Sequence, residues 1–288
     1  MDAIFIRRVA LCLQAEPVAW RAIGRGYSAT KKHVVELSDG RSAFVKQAVD
    51  DGTAAALRAE HQIYSNVCAP FVPSLLSWDD DKHPILIIED LSECAWPPPW
   101  NESKVAEVLR ILRKLAVTPP PRCLRRLRCK EGLGRGWKEI AEDPNPFLRL
   151  GVVAPKWFEK NLPVLLAADA AAKVQGDAFL HFDVRSDNLC FRGNHALLID
   201  WNWACIGNAH VDIALWLPSL HVEGGPHPRD VMPDQPALAA RAAGHFADRA
   251  VRSRAQGASR WSHFQLAQLR VALSWATEEL DLEPPAAI

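Results

Sequence analysis

Hydrophobic residues recur with different periods in the two parts of this chain. Up to about residue 90 they alternate as in β-strands, and HVVELS and RSAFVKQA are separated by Asp39-Gly40, a pair typical of a hairpin turn. The stretch TAAALRAEHQIYSNV has a helical pattern, and the apolar run PILIIEDL predicts a buried strand ending in acidic residues. These patterns predict a small strand-rich lobe over residues 1–90.

Prolines 97–99 in SECAWPPPW interrupt regular structure because they lack backbone donors, so 91–101 is interpreted as a hinge or linker. Beyond it, helical periodicity takes over in 102–288. Asn101 is a candidate N-cap for a helix with one apolar face, formed by Val105, Val108, Leu109, Leu112 and Leu115. Further helices are predicted over 155–174 with an interruption at Pro163, over 237–251 and over 261–280. The chain therefore predicts a bilobal α+β fold.

One β-element interrupts the helical half. In NLCFRGNHALLIDW, Gly193-Asn194 supplies a tight turn between strands predicted at 189–192 and 196–199. This hairpin places Asn188 just before its first strand and Asp200 at the end of its second. Hard divalent cations such as Mg²⁺ prefer such oxygen ligands, usually one or two of them together with phosphate oxygens.

Composition narrows the class of protein. The 288 residues carry 34 basic and 34 acidic side chains, so no overall field attracts nucleic acid or a membrane. No apolar run approaches the roughly 20 residues of a membrane span. Seven cysteines without CxxC pairs are typical of reduced thiols in a cytoplasm. We expect a cytoplasmic protein with a small-molecule partner; the sequence carries no signal of its oligomeric state.

The stretch HFDVRSDNLC, at 181–190, is either a solvated turn or a catalytic loop. The pattern His181-x-Asp183-x4-Asn188, followed by a hairpin and Asp200, resembles the catalytic loop and metal-binding aspartate of the protein-kinase-like fold. GDAFLHFD and LIDWNWACIGNAHVDIALW are similar to the corresponding stretches of the aminoglycoside phosphotransferase family. This resemblance implies a bilobal protein-kinase-like fold that uses ATP, or GTP, with Mg²⁺.

The N-terminal half offers the nucleotide-binding parts in the order that this fold requires. IGRGYSATKKHVVEL contains Gly24 and Gly26, where the backbone can approach phosphates, and Ser28 resembles the loop serine of small-molecule kinases. The third glycine of the protein-kinase loop is replaced by Ala29, so an ordinary turn stays an open alternative.

Lys46 lies in the apolar strand AFVKQA, and Glu60 follows fourteen residues later in the helical stretch. The resemblance implies that Glu60 holds Lys46 against the nucleotide phosphates; an edge lysine and an exposed glutamate are the alternatives. Main-chain groups from Glu89 to Leu91 are expected to meet the adenine.

The resemblance also implies roles for the second half. Asp183 would take the proton of the acceptor hydroxyl, and Arg185 would neutralise developing charge, with a surface ion pair as the alternative for Arg185. Asn188 and Asp200 would hold Mg²⁺. Support would come from His181, as a hydrogen-bonded structural histidine, and from Asp212, which would brace the loop through backbone N–H groups.

Only eleven residues separate Asp200 from Asp212, too few for the long segment on which protein kinases dock peptides, so the acceptor is expected to be small. The resemblance points to an antibiotic, typically a polycationic aminoglycoside. Glu278, Glu279 and Asp281 in the tail would suit such a cation, but a solvated helix end explains them equally well. The basic stretch 122–138 would suit an anionic or neutral acceptor, or is simply a solvated surface.

Three hypotheses follow: an antibiotic kinase, a metabolic kinase for an amino alcohol, amino acid or sugar, and a catalytically inactive nucleotide-binding regulator. The third is disfavoured because Lys46, Asp183, Asn188 and Asp200 are all present.

Overall fold

The N-terminal part is an antiparallel sheet flanked by helices. The computed structural model describes residues 2–24, 29–127, 133–255, 257 and 259–285. Its first elements are α1 (Ala3–Leu13), β1 (Pro17–Ala22), β2 (Lys31–Leu37), β3 (Ser42–Gln47), α2 (Asp51–Asn66), β4 (Leu75–Asp79) and β5 (Ile85–Glu89). Within these described residues the strands form one five-stranded sheet in the order β1-β2-β3-β5-β4.

Both faces of this sheet are covered, and side-chain alternation decides which residue meets which helix. Val45 of β3 and Ile87 of β5 pack with Phe5, Val9 and Leu13 of α1. The alternate residues of β5, Leu86 and Ile88, point to the opposite face of the sheet. They pack with α2 and with the large core that continues into the C-terminal part of the chain. Lys46, one residue after Val45, is thereby turned towards α2.

The C-terminal part is mostly helical. Its elements are α3 (Glu102–Val117), α4 (Trp137–Glu142), α5 (Asn145–Leu148), α6 (Pro155–Ala171), β6 (Ala178–Leu180), β7 (Leu189–Arg192), β8 (His195–Leu198), β9 (Cys205–Gly207), α7 (His210–Val222), α8 (Pro228–Val231), α9 (Pro236–Ala255) and α10 (Arg260–Glu279). β6 pairs with β9, and β7 pairs with β8. Among the described helices, none is both long and apolar enough to cross a membrane.

The predicted elements are largely present. The Asn101 side chain caps α3 by accepting the Lys104 N–H, and the β7–β8 hairpin turns at Gly193 with φ +58°. The lobe boundaries near 90 and 101 stay a prediction; the sheet ends at Glu89 and α3 begins at Glu102.

Two helices differ from the pattern-based predictions. The predicted interruption at Pro163 was wrong, because α6 continues through it. Pro163 is exposed, so water can solvate the carbonyl that loses its helical partner. The second difference is α1, in a region interpreted as strands. Its buried residues recur at 5, 9 and 13, a helical spacing, and the Asp2 side chain caps it.

Close packing fixes the position of α9 in the helical part. Gly244 of α9 lies against Trp137, and an added Cβ would come within 2.9 Å of both the Trp137 backbone nitrogen and its ring. One turn earlier, the buried Arg241 donates to Asp169 at 2.9 Å and to the Gly134 carbonyl at 2.6 Å. These contacts matter for the site because α9 also lines the pocket described below.

We expect Gly244→Ala to destabilise the protein by about 1–3 kcal/mol, although alanine normally favours a helix, because the added methyl meets backbone atoms that cannot yield. Gly52→Ala is the matched control. It lies in the first turn of α2, where an added Cβ would make only ordinary contact at 3.5 Å with Asp50. The midpoint of thermal unfolding should fall for Gly244→Ala and stay level or rise for Gly52→Ala; equal midpoints would contradict the close packing.

Candidate active site

A buried cluster of three charges joins the two parts of the molecule. Lys46 Nζ lies 2.9 Å from both carboxylate oxygens of Glu60 and 3.0 Å from Asp200 Oδ1. Lys46 and Glu60 are only 3% and 1% exposed. Burial alone would lower the pKa of Lys46, but the two carboxylates outweigh this effect and raise it. The same lysine holds the pKa of Asp200 below its ordinary value despite burial.

The Asp212 side chain fixes the loop that follows β6. Its two carboxylate oxygens accept the backbone N–H groups of His181 and Phe182, each at 2.8 Å. Phe182 has φ +65°, a left-handed conformation that a bulky residue rarely adopts. Asp212 is thus placed where the resemblance implied a bracing aspartate, and its two hydrogen bonds stabilise the strained turn.

His181 is fully buried beside this turn. Its Nδ1 accepts the Asp183 N–H at 3.2 Å, so the proton belongs on Nε2, which lies 2.9 Å from the Ile199 carbonyl oxygen. Burial lowers the pKa of His181 to about 4, and the ring is therefore neutral near pH 7. These contacts suit a structural histidine.

Asn188 and Asp200 line one end of a cleft, and Asp183 is hydrogen-bonded to Asn188. The Asn188 amide donates to the Asp183 carboxylate at 2.8 Å and to its backbone carbonyl at 2.9 Å. The Ile199 N–H donates to the Asn188 carbonyl at 2.9 Å, so the two strands of the hairpin keep Asn188 and Asp200 adjacent. Burial raises the pKa of Asp183, although nearby arginines partly offset the rise.

The cleft between the sheet and this loop has a volume of about 510 Å³. Its apolar end includes Ile23, Val34, Phe44, Ile88 and Leu91, and its polar end includes Lys46, Asn188 and Asp200. An apolar slot that ends in cations and oxygen ligands suits a flat base at one end and phosphates at the other.

The predicted nucleotide-contacting residues are only partly accounted for. Gly24 lies at the end of β1 with open space around it, whereas Gly26 and Ser28 lie outside the described residues. Leu91 lines the cleft. The Glu89 side chain turns elsewhere and pairs with Arg192 at 2.7 Å.

Lys32 is a site residue that the sequence analysis did not single out. It pairs directly with Lys46 across β2 and β3, lines the cleft, and is only 8% exposed. Burial and the neighbouring Lys46 lower the pKa of Lys32. The sequence does contain an indication of this position. In the strand KKHVVEL, Lys32 lies two positions from the apolar Val34, and residues two positions apart in a strand point to the same face.

A second, smaller pocket lies on the other side of Asp183, with a volume of about 50 Å³. It is bounded by the loop around Asp183 and by α7, α9 and α10. Arg185 lines it and lies 3.4 Å from the Asp183 carboxylate. Arg249 of α9 also lines it, and the sequence analysis missed this residue because 66 positions separate it from Asp183.

The acidic tail residues are not brought to this pocket; none of them is among its described lining residues. The Glu279 side chain is only 3% exposed and accepts the Gln235 N–H at 2.6 Å, so it caps the start of α9. Glu278 accepts the Ser274 hydroxyl and lies 3.7 Å from His227. Asp281 is exposed after the end of α10. Glu278 and Glu279 thus make contacts near the ends of helices, and the geometry gives no support to the expectation of an acidic acceptor site.

In the basic stretch 122–138, two of the described arginines form ion pairs away from the pocket. Residues 128–132 lie outside the described part of the chain. Arg126 bonds Asp177 at 2.7 Å, and Arg135 bonds Glu139 and Glu142. These contacts are typical of a solvated surface.

Fold and site together define a protein-kinase-like architecture with a buried lysine–glutamate pair, an aspartate and an asparagine bonded to each other on one loop, and a hairpin followed by a second aspartate. The sequence model of the phosphotransferase enzyme family (APH) matches residues 19–252, and the chain belongs to this family. It is a phosphotransferase that acts on hydroxyl groups of small molecules, and the family resemblance read from the sequence is confirmed. A comparison with curated protein sequences found no match.

Solved structures share the fold along nearly the whole chain. The choline kinase of Cryptosporidium parvum Iowa II is 13% identical, with 97% of each chain covered and a TM-score of 0.62. A spectinomycin phosphotransferase, solved with ADP and spectinomycin, is 14% identical, with 97% of this chain and 99% of that chain covered and a TM-score of 0.59. An aminoglycoside phosphotransferase from Alicyclobacillus acidocaldarius is 14% identical, with 92% and 91% covered and a TM-score of 0.57. These likenesses confirm the predicted protein-kinase-like α+β fold.

We expect Lys46→Met to destabilise the protein by about 3–5 kcal/mol near pH 8, because it leaves the buried Glu60 and Asp200 carboxylates without their cation. The pKa of the unpaired Glu60 should then lie above its unfolded value of about 4.3, so the loss should grow as pH rises from 5 to 8. Denaturant unfolding at both pH values measures this.

The double variant Lys46→Met/Glu60→Gln removes one of the two stranded charges and serves as the control. It should be more stable than Lys46→Met alone at pH 8. A pH-independent loss that is equal in both variants would show that the charge cluster is not what the lysine stabilises.

Proposed function

We propose that the protein transfers the γ-phosphoryl group of ATP, or GTP, to a hydroxyl group of a small molecule. The observation that carries this is the meeting of Lys46, Asn188 and Asp200 at the polar end of the 510 Å³ cleft, with Asp183 hydrogen-bonded to Asn188. In this proposal the apolar end takes the base, and main-chain groups near Leu91 bond its edge.

The donor residues suit a divalent cation. Asn188 and Asp200 line the cleft with oxygen ligands, and Lys46 keeps Asp200 ionised. No group of three or more His, Cys, Asp or Glu able to hold a metal occurs in the described part of the chain, so phosphate oxygens would complete the coordination. We propose Mg²⁺, which when bound neutralises phosphate charge.

Phosphoryl transfer is mainly a matter of positioning and charge neutralisation. The acceptor oxygen bonds the γ-phosphorus while the bond from that phosphorus to the bridging oxygen breaks, and ADP leaves. Asp183 accepts the hydroxyl proton, and its Asn188 hydrogen bond holds the carboxylate in place. Lys46 and Lys32 bind the phosphates, and Arg185 stabilises charge near the transferred group.

Two classes of acceptor follow from the family. Relatives of the same fold include aminoglycoside and spectinomycin phosphotransferases and a choline kinase. An antibiotic, with an aminoglycoside foremost, is therefore one candidate. The second is a metabolite, and a specific observation favours it: the pocket next to Asp183 is small and carries Arg185 and Arg249 instead of an acidic lining. We propose catalysis in the cytoplasm for either acceptor.

Asp183→Asn should lower turnover by about 10²–10⁴-fold while nucleotide affinity changes little, because the shape of the loop is kept and only the proton acceptor is lost. A coupled ADP-release screen across antibiotics and hydroxylated metabolites first identifies an acceptor, and calorimetry follows nucleotide binding. Asp177→Asn, an exposed site in the same lobe, is the control and should behave as the wild type. Near wild-type turnover of Asp183→Asn would refute the proposed role.

Lys32→Met should raise the KM for ATP by roughly tenfold, while affinity for adenosine stays nearly unchanged, because Lys32 acts on phosphates and not on the base. Lys31→Met is the matched control, since Lys31 is the preceding residue of β2 and is exposed. Equal effects of the two substitutions on ATP, or an equal loss for adenosine, would remove Lys32 from the phosphate site.

A further inference from the structure

The pocket on the acceptor side of Asp183 has a distinctive charge. Besides Asp183, its only acidic lining residue in the described part of the chain is Asp212, and both oxygens of Asp212 already accept loop N–H groups. Two arginines, Arg185 and Arg249, line the same pocket. A cationic acceptor would meet repulsion from these guanidinium groups, whereas an anion would be attracted.

The two arginines differ in how they are engaged. Arg185 lies 3.4 Å from Asp183 and 3.2 Å from Asp187, and its guanidinium lies over the Trp261 ring at 5.2 Å. Arg249 is solvent-exposed, and no carboxylate of the described residues lies within 4.0 Å of it. Its neighbour Asp248 is already bonded to Arg252 at 2.7 Å. Arg249 is therefore the cation that can receive an anionic group of the acceptor.

The inner wall of the pocket presents hydrogen-bonding groups. Gln265 and Gln268 of α10 are 2% and 1% exposed, and both line the pocket. The Gln268 amide nitrogen bonds the Ser219 hydroxyl, whereas the Oε1 atom of each glutamine is buried without a hydrogen-bond partner among the described residues. Buried amide oxygens of this kind are costly unless a donor reaches them, and hydroxyl groups of a ligand are suitable donors.

Size limits the acceptor further. The pocket volume of about 50 Å³ is far below the roughly 300–1,000 Å³ of sites for drug-sized ligands. Trp203, which is 52% exposed, forms part of the rim and offers an apolar face to a carbon chain. A small acceptor, or one that inserts only a short chain, fits this space.

Resting on the proposed kinase function, we propose that the acceptor is a small hydroxylated monocarboxylic acid. Its carboxylate pairs with Arg249, additional hydroxyl groups donate to Gln265 and Gln268, and the hydroxyl beside Asp183 is phosphorylated. Its O–H bond breaks, the new O–P bond forms to the γ-phosphorus of ATP, the proton passes to Asp183 and ADP leaves. A monoanion suits the single available arginine and adds less repulsion towards the transferred phosphoryl group than a dianion would.

The test uses the full chain with ATP and Mg²⁺ and two sets of matched acceptors. One set is glycerate, glycerol and 3-amino-1,2-propanediol; the other is gluconate, sorbitol and glucamine. Within each set the carbon chain is conserved and only the charge at one end changes. We expect the carboxylate to show at least tenfold higher kcat/KM for ADP release than its neutral and cationic partners.

Arg249→Gln should raise the KM for the carboxylate at least tenfold while kcat changes less than threefold, because ground and transition states lose the same contact. It should also abolish discrimination within each set. Arg254→Gln, exposed and near the end of the same helix, is the matched control and should leave KM within twofold.

The alternative outcomes separate this proposal from the proposed function. Faster ADP release with glycerol, sorbitol or the amines overturns the anionic acceptor but leaves the kinase assignment standing. If no acceptor in the sets is phosphorylated, inhibition of Asp183-dependent ATP hydrolysis decides: carboxylates should inhibit the wild type and not Arg249→Gln, and no inhibition overturns the proposal. The absence of any hydrolysis that depends on Asp183, with every acceptor including antibiotics, would instead overturn the kinase function on which the proposal rests.

Discussion

The structure depends on a buried lysine that needs two carboxylates from different parts of the chain. Removing an ammonium group from water is costly unless opposite charges and hydrogen bonds offset the loss. Lys46 obtains them from Glu60 on α2 and from Asp200 after β8, at distances of 2.9 and 3.0 Å. The sheet, the helix and the hairpin of the helical part must therefore come together for any one of these charges to be stable. The same requirement brings Asp200 to the cleft next to Asn188, so the interaction that joins the sheet to the helical part also assembles the polar end of the cleft.

Local strain near the reacting groups depends on that assembly. Phe182 and Asp200 both adopt left-handed backbone conformations, with φ values of +65° and +66°. Such conformations cost energy and persist only where surrounding contacts fix them. The Phe182 N–H is held by Asp212, and the Asp200 N–H donates to Glu60 at 3.2 Å. Each of these two residues is thus hydrogen-bonded to a buried carboxylate, which fixes the backbone beside Asp183 and Asn188 outside regular secondary structure.

The sequence made much of this arrangement predictable, for a physical reason. The spacing of His181, Asp183, Asn188 and Asp200 is local, because one loop and one short hairpin set it, and the turn residues at 193–194 identify the hairpin. Lys46 and Glu60 were identified through the family resemblance, from their order in a predicted strand and a predicted helix after the glycine-containing stretch. The lining of the smaller pocket beside Asp183 could not be predicted from the sequence. Much of this lining comes from three helices, whose packing depends on tertiary contacts such as Gly244 against Trp137. For the same reason the acidic residues of the tail led to the prediction of an acidic acceptor site that the structure does not support. Glu279 carries the expected charge, but its side chain points to the start of α9.

The distribution of charge around Asp183 links the two sides of the site. Towards the nucleotide, Lys46 lies between two carboxylates, and Lys32 adds a second buried positive charge on the same face. Towards the acceptor, Arg185 is shared between Asp183 and Asp187, and Arg249 adds a second positive charge that has no carboxylate within 4.0 Å among the described residues. On each side two cations face two carboxylates, with Lys46 and Lys32 near Glu60 and Asp200, and with Arg185 and Arg249 near Asp183 and Asp187. The charges of the protein are therefore balanced within each side before a ligand binds. In the proposed function the phosphates meet Lys46 and Lys32 while the acceptor meets Arg249. The phosphates are common to all phosphoryl transfers from ATP, so selection among acceptors would fall to residues of α9 and α10 outside the loop.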